Sequence, residues 1–189
     1  MALRNHALDR LKQLTDTLLD VRGLLELHYE PAVALLADAI ARGNKILICG
    51  NGGSAAESQH LAAELLIRFD QDRRALPAIA LTADSATLTA CGNDYGYNQV
   101  FRRQIEALGR SGDVLVAFST SGTSKNVTEA IHEARRHGMH VLGVSGRKGM
   151  VAECDVELIV PSTSTARIQE VHLLLVHLLV EGIERSLKV

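Results

Sequence analysis

Lys45-Ile-Leu-Ile-Cys49 runs directly into Gly50-Asn-Gly-Gly-Ser-Ala55, and a helical pattern follows from about Ser54 to Arg68. An apolar run without polar alternation reads as a strand buried on both faces, and the glycines permit a tight turn into the helix. The alternation then repeats. Pro77-Ala-Ile-Ala-Leu81 is a second strand, with helical material through about Leu108. Asp113-Val-Leu-Val-Ala-Phe118 is a third, followed by a Ser/Thr loop and a helix from about Ser124 to His137. His140-Val-Leu-Gly-Val-Ser145 and Val156-Glu-Leu-Ile-Val160 complete the set before one long helix, about Ala166 to Leu187. Apolar strands separated by helices predict a five-stranded parallel sheet in a three-layer αβα sandwich. In flavodoxin-like order, strands one and three flank the crevice where ligands bind, so chemistry is expected in the loops that follow them.

Upstream, Leu8, Leu11, Leu14, Leu18, Val21 and Leu25 recur at helical spacing over residues 7–28. Pro31 then opens a second helix through Ile40, and Gly43 closes it. The expectation is one domain over residues 1–189: a helical pair over 1–43 and an α/β core over 44–189. At 189 residues and 47% apolar, the chain has ample material for a core. Twenty basic against 22 acidic residues, with 3% aromatics and no Trp, exclude the electrostatic and stacking signature of a nucleic-acid binder. No apolar run is long enough to span a membrane. Cys49, Cys91 and Cys154 form no CxxC pair, which argues for reduced thiols in a cytoplasm.

The first loop formally satisfies G-x-G-x-x-A, but a dinucleotide site wants an acid ~20 residues further on. The nearest acid after the second strand, Asp84, comes 34 residues after Gly50. The free amides of this loop suit an anionic group, and Ser54 is placed to cap its helix. The second loop, Ser119-Thr-Ser-Gly-Thr-Ser124, offers five hydroxyls at a helix amino terminus, a neutral cradle for a phosphomonoester. The GxxxxGK[ST] pattern of triphosphate binders is missing. His60 and Glu64, four apart, share one helical face. Gln169, Glu170, His172 and His177 punctuate the apolar last helix, where unpartnered polar groups are costly. Glu170 and His177, seven apart, share a face better than Gln169 and His177, eight apart, and geometry alone does not choose between Gln169 and Glu170 as the active partner.

The ordered set Cys49-Gly-Asn-Gly-Gly-Ser54, His60-x-x-x-Glu64, Gly92-Asn-Asp94, Ser119-Thr-Ser-Gly122, Ser124 and Arg167-Ile-Gln-Glu-x-His172 closely resembles the sedoheptulose-7-phosphate (phosphoheptose) isomerases of the sugar isomerase (SIS) superfamily. The resemblance covers essentially the whole chain. It implies an aldose–ketose isomerisation of sedoheptulose 7-phosphate to D-glycero-D-manno-heptose 7-phosphate through an enediol(ate), opening heptose-nucleotide biosynthesis. It implies a Zn2+ ion held by residues matching His60, Glu64, Gln169 and His177. Substrate contacts carry over to Asn51, Gly52, Gly53, Ser54, Glu64, Asn93, Asp94, Ser119, Thr120, Ser121, Ser124 and Gln169. Glu64 is the expected base, with His177 shuttling a proton on the opposite side. Family members are homotetramers, which assigns the 1–43 segment to self-association. Some members carry an acid where this chain has Ala166, so another group, such as His172 or Asp94, is expected to serve instead. Related SIS proteins are non-catalytic partners of the replication initiator, and others isomerise different sugar phosphates. The non-catalytic relatives lack the residues matching Glu64 and His177, both of which stand here.

Overall fold

The computed structural model describes residues 2–188; Met1 and Val189, the ends of the expected domain, lie outside the described residues. The chain runs α1 (Ala2–Ala41), β1 (Ile46–Cys49), α2 (Gly53–Leu66), β2 (Ala78–Ala80), α3 (Ser85–Asp94), a 3₁₀ turn (Tyr97–Gln99), α4 (Arg102–Leu108), β3 (Val114–Ser119), α5 (Lys125–Arg136), β4 (His140–Ser145), β5 (Val156–Ile159) and α6 (Thr165–Leu187). All strand pairs are parallel and the order is β2-β1-β3-β4-β5, the flavodoxin-like order expected. Successive strand residues face opposite sides. Ile46 and Ile48 therefore join the core under α1, α2 and α6, with Leu36, Leu61, Val116 and Val176. Leu47 and Cys49 join the other core, with Ile105, Leu115, Val127 and Ile131 beneath α4 and α5.

The leading segment departs from expectation. Pro31 does not separate two helices; α1 is one 40-residue helix that continues through it. A proline inside a helix costs ~3 kcal/mol through a lost hydrogen bond and a ring clash. Val33, Leu36 and Ile40, just beyond it, are buried, and burying such side chains stabilises by ~1.5–3 kcal/mol each. Tyr29 also donates from its hydroxyl to the Leu178 carbonyl of α6 at 2.7 Å, pinning the turn before the proline. Tertiary packing on both sides of Pro31 thus outweighs the local break. The amino-terminal half of α1 is different: Leu8, Leu11, Leu18, Leu19 and Leu27 are exposed, and of the expected apolar stripe only Val21 is buried.

On α6, His172 is fully buried. Its ring packs on Phe118, centroids 5.7 Å apart, and Nε2 donates to the Ser145 carbonyl at 3.3 Å. Burial pushes its pKa down to about 4, so the folded imidazole stays neutral where an unfolded one, near 6.5, would take a proton. The unfolded state therefore binds more protons between about pH 4 and pH 6.5, and stability falls as pH drops through that window, by up to about 3 kcal/mol in all. His172→Gln is expected to flatten the pH dependence of the unfolding midpoint between pH 7 and pH 5. A slope as steep as that of the parent chain would assign the acid sensitivity elsewhere.

Candidate active site

The crevice lies where β1 and β3 end and the winding reverses. From β1 the chain turns through Gly50, Asn51 and Gly52, and α2 begins at Gly53. Gly53 marks a close approach: a Cβ there would sit 2.3 Å from the Gln169 side-chain Nε2. Gln169 thus faces α2, whereas Glu170 turns to Arg167 at 2.5 Å, a difference that spacing did not show. The helix is capped by Gly52 rather than Ser54; Ser54 lies inside the first turn, and its backbone nitrogen donates to the Asn51 carbonyl. Its side chain is buried, and its carbonyl accepts from the Ser58 hydroxyl.

Asn51 is held by Asn126, a residue the sequence reading missed. The two amides bond reciprocally, Asn51 Nδ2 to Asn126 Oδ1 and Asn126 Nδ2 to Asn51 Oδ1, both at 2.8 Å. Tyr97 adds a hydroxyl donor to Asn51 Oδ1 at 3.1 Å. Asn126 is buried in the first turn of α5, so this pair ties the glycine loop to the helix that opens from the hydroxyl loop. The only sequence signal was an asparagine two places after Ser124. Asn93 and Asp94, at the end of α3, bond to each other at 2.8 Å. Neither side chain is hydrogen-bonded to the glycine loop, which Tyr97, three residues after Asp94, does reach.

In the hydroxyl loop, Ser119 and Ser124 are paired through their Oγ atoms at 3.1 Å, and Ser119 Oγ also accepts from the Gly122 amide. Ser121 Oγ accepts from the Thr123 amide and hydroxyl, both at 3.2 Å. Thr120, Ser121 and Thr123 border a cleft of about 230 Å³ whose other walls include Arg147, Lys148 and Thr165. These cations come from the loop after β4 and carried no recognisable spacing in the sequence.

On α2, His60 Nε2 and Glu64 Oε1 are 3.0 Å apart. The His177 ring of α6 meets His60 edge-on, centroids 5.1 Å apart. Phe69, just past α2, stacks on His177 at 5.2 Å and an interplanar angle of 27°. His60, Glu64 and His177 therefore converge within one chain, though 117 residues separate the imidazoles. Glu57 lies one turn before His60; one of its carboxylate oxygens is buried without a partner. Burial pushes its pKa up, opposed by nearby His60. Cys49, at the end of β1, is no nucleophile at neutral pH, because burial pushes its thiol up to about 12. His172 is sealed in the core, so it does not supply the group missing at Ala166; Asp94 remains exposed.

Two imidazoles and a carboxylate are donors that zinc favours. Among the described residues, however, no three His, Cys, Asp or Glu side chains are gathered tightly enough to hold an ion as they stand. The Gln169 amide lies at Gly53, about 10 Å of helical rise before His60. The donors fit zinc in kind but are not arranged here as a closed shell.

A family profile for the SIS domain matches residues 11–146. A phosphoheptose isomerase from Campylobacter concisus is 53% identical over 161 residues, 84% of this chain and 85% of that protein. The chain belongs to the phosphoheptose isomerase family. A second member, from Thiobacillus denitrificans, is 45% identical over 192 residues, 99% of this chain and 98% of its own length. The phosphoheptose isomerase structure from Neisseria gonorrhoeae superposes with a TM-score of 0.89 at 42% identity, covering 97% of this chain and 99% of that one. The family assignment thus extends to the long leading helix and to α6, beyond the span of the SIS profile.

Proposed function

We infer that this enzyme interconverts sedoheptulose 7-phosphate and D-glycero-D-manno-heptose 7-phosphate, with the sugar lying between the hydroxyl loop and the α2–α6 pair. The observation that carries this is the meeting of His60, hydrogen-bonded to Glu64, with His177 from the far end of the chain. The Ser119, Thr120, Ser121 and Ser124 loop receives the phosphate, with Asn51, Gly52, Gly53, Ser54, Asn93, Asp94 and Gln169 toward the sugar. Glu64 takes the C1 proton of the ketose to give the enediol and returns a proton at C2. His177, across from Glu64, carries the hydroxyl proton between O2 and O1. His60 orients the Glu64 carboxylate, and Phe69 keeps the His177 ring edge-on to His60. Retention of both Glu64 and His177 disfavours a non-catalytic role as partner of a replication initiator.

Incubating the pure chain with sedoheptulose 7-phosphate and following the aldose by NMR tests the reading. No aldose, or turnover confined to another sugar phosphate, overturns it.

Zinc, held by His60, Glu64, Gln169 and His177, would polarise the substrate carbonyl. Its support is the donor chemistry of the two imidazoles and the carboxylate. Dialysis against a chelator is expected to lower kcat at least tenfold, with recovery on adding zinc; a metal-free preparation at full turnover would refute the assignment. Self-association as a homotetramer is supported by the exposed leucines of α1, of which Leu8, Leu11 and Leu18 recur at helical spacing on one face, an apolar stripe that a second copy can cover. Sedimentation of the full chain reads the state directly. Three free cysteines accord with a cytoplasmic setting, and among the described residues no helix is long and apolar enough to cross a membrane.

A further inference from the structure

The segment between α2 and β2 carries Arg73, whose side chain is 1% exposed. An arginine is almost never buried this completely unless its donors are satisfied. Here they are. Nη2 donates to the Glu64 carbonyl at 2.7 Å, and Nη1 to the carbonyls of Leu65 at 2.9 Å and Arg74 at 3.1 Å. Nε donates to Glu184 Oε1 at 2.7 Å. The last carbonyls of a helix have no partner within it, and the last turn of α2 holds no basic residue of its own. The guanidinium fork supplies a donor to the Glu64 carbonyl, a second donor to the Leu65 carbonyl beside the Leu76 amide, and a cation at the negative end of the helix dipole. Glu184 is itself buried on α6, seven residues after His177 and so on the same helical face.

We propose that Arg73 is a positioning residue for the isomerisation: one guanidinium fixes the carboxyl end of α2, at the backbone of Glu64, against α6, and thereby sets the separation of Glu64 from His177. The proposal rests on the reading of Glu64 and His177 as the proton-transferring pair. A lysine cannot replace the arginine, because a single ammonium cannot span three carbonyls and a carboxylate in the planar fork that a guanidinium provides. Neither residue touches the hydroxyl loop, so the phosphate cradle is left intact when the tie is cut.

The test compares the full-length parent with Arg73→Met/Glu184→Leu and with Arg73→Lys. Apolar replacement of both members of a buried pair is often neutral for folding, because no charge is stranded. The double variant is expected to unfold within a few degrees of the parent. Its kcat for sedoheptulose 7-phosphate falls about 100-fold, the effect of about 1 Å of misplacement, while KM changes less than about threefold. Arg73→Lys keeps the ion pair and loses the fork, and its kcat falls about tenfold with KM again held. Parental kcat in a folded double variant, or KM and kcat changing together, overturns the proposal. Loss of folding in both variants assigns Arg73 to stability alone and overturns it as well. If the parent itself fails to turn over the sugar, the underlying functional reading falls first, and the positioning role with it.

Discussion

Glu64→Gln is expected to abolish isomerisation while leaving the fold in place, with kcat down about 10³-fold and KM within a few-fold of the parent. The substitution is isosteric, and the Glu64 side chain, 23% exposed, is not part of the core. An amide still fits the 3.0 Å contact with His60, so neither helix has cause to move. What disappears is a group able to take a proton from carbon, because an amide has no basic lone pair at neutral pH. The phosphate loop belongs to a different strand end, and ground-state binding persists; a lower kcat with an unchanged KM signals an interaction confined to the transition state. Turnover followed by NMR beside a thermal melt separates lost chemistry from lost structure. Substantial residual kcat in the folded variant would remove Glu64 as the base.

The largest effect on stability is expected at Gly122. Its φ is +71°, a region that costs other residues ~1–2 kcal/mol. A Cβ at that position would lie 1.7 Å from the Gly149 carbonyl oxygen and 2.7 Å from its carbon. Both obstacles are backbone, so the hydroxyl loop and the loop after β4 must part to admit Ala. Two bonds go with them, from the Gly122 amide to Ser119 Oγ and from the Val151 amide to the Gly122 carbonyl. Strain and overpacking together predict a loss of about 3 kcal/mol or more, or about 6–12 °C in the unfolding midpoint for a chain of this size. KM should rise at least tenfold, because Ser119 and Ser124 are set by the same turn. Gly53→Ala is the instructive contrast, since there the obstacle is the flexible end of the Gln169 side chain. Unchanged melting and KM in Gly122→Ala would mean that the two loops are less tightly interlocked than their backbones indicate.

How much of this was legible beforehand depended on whether the signal was local. The runs at 46–49, 114–119 and 140–145 are apolar on both faces because helices cover both sides of the sheet, and that pattern survives in the linear order. The strand ends then located both polar loops. Ser54 as a helix cap and Pro31 as a helix boundary were also local readings, and both failed: α2 begins at Gly53, which leaves Ser54 inside the first turn, and the burial of Val33, Leu36 and Ile40 outweighs the few kcal/mol that a proline costs a helix. Asn126 left only a faint signal, its place two residues after Ser124, and Phe69, Arg73 and Arg147 left none, since Asn51, His177, Glu184 and the hydroxyl-loop cleft are brought to them only by the fold.

Sequence by itself determined the layered α/β architecture, the order of motifs and the residue types of the proposed site: a hydroxyl-rich loop at one strand end, and a carboxylate and imidazoles on two helices. Tertiary structure alone decided that His60 and His177 meet, that Gln169 rather than Glu170 faces α2, that His172 belongs to the core, and which buried groups hold the loops and helices in register. The physical reason is range. Periodicity and turn chemistry are fixed by neighbours a few residues away, whereas the packing of α2 on α6 and the interlocking of two glycine-bearing loops depend on contacts between segments that only the closed sheet brings together.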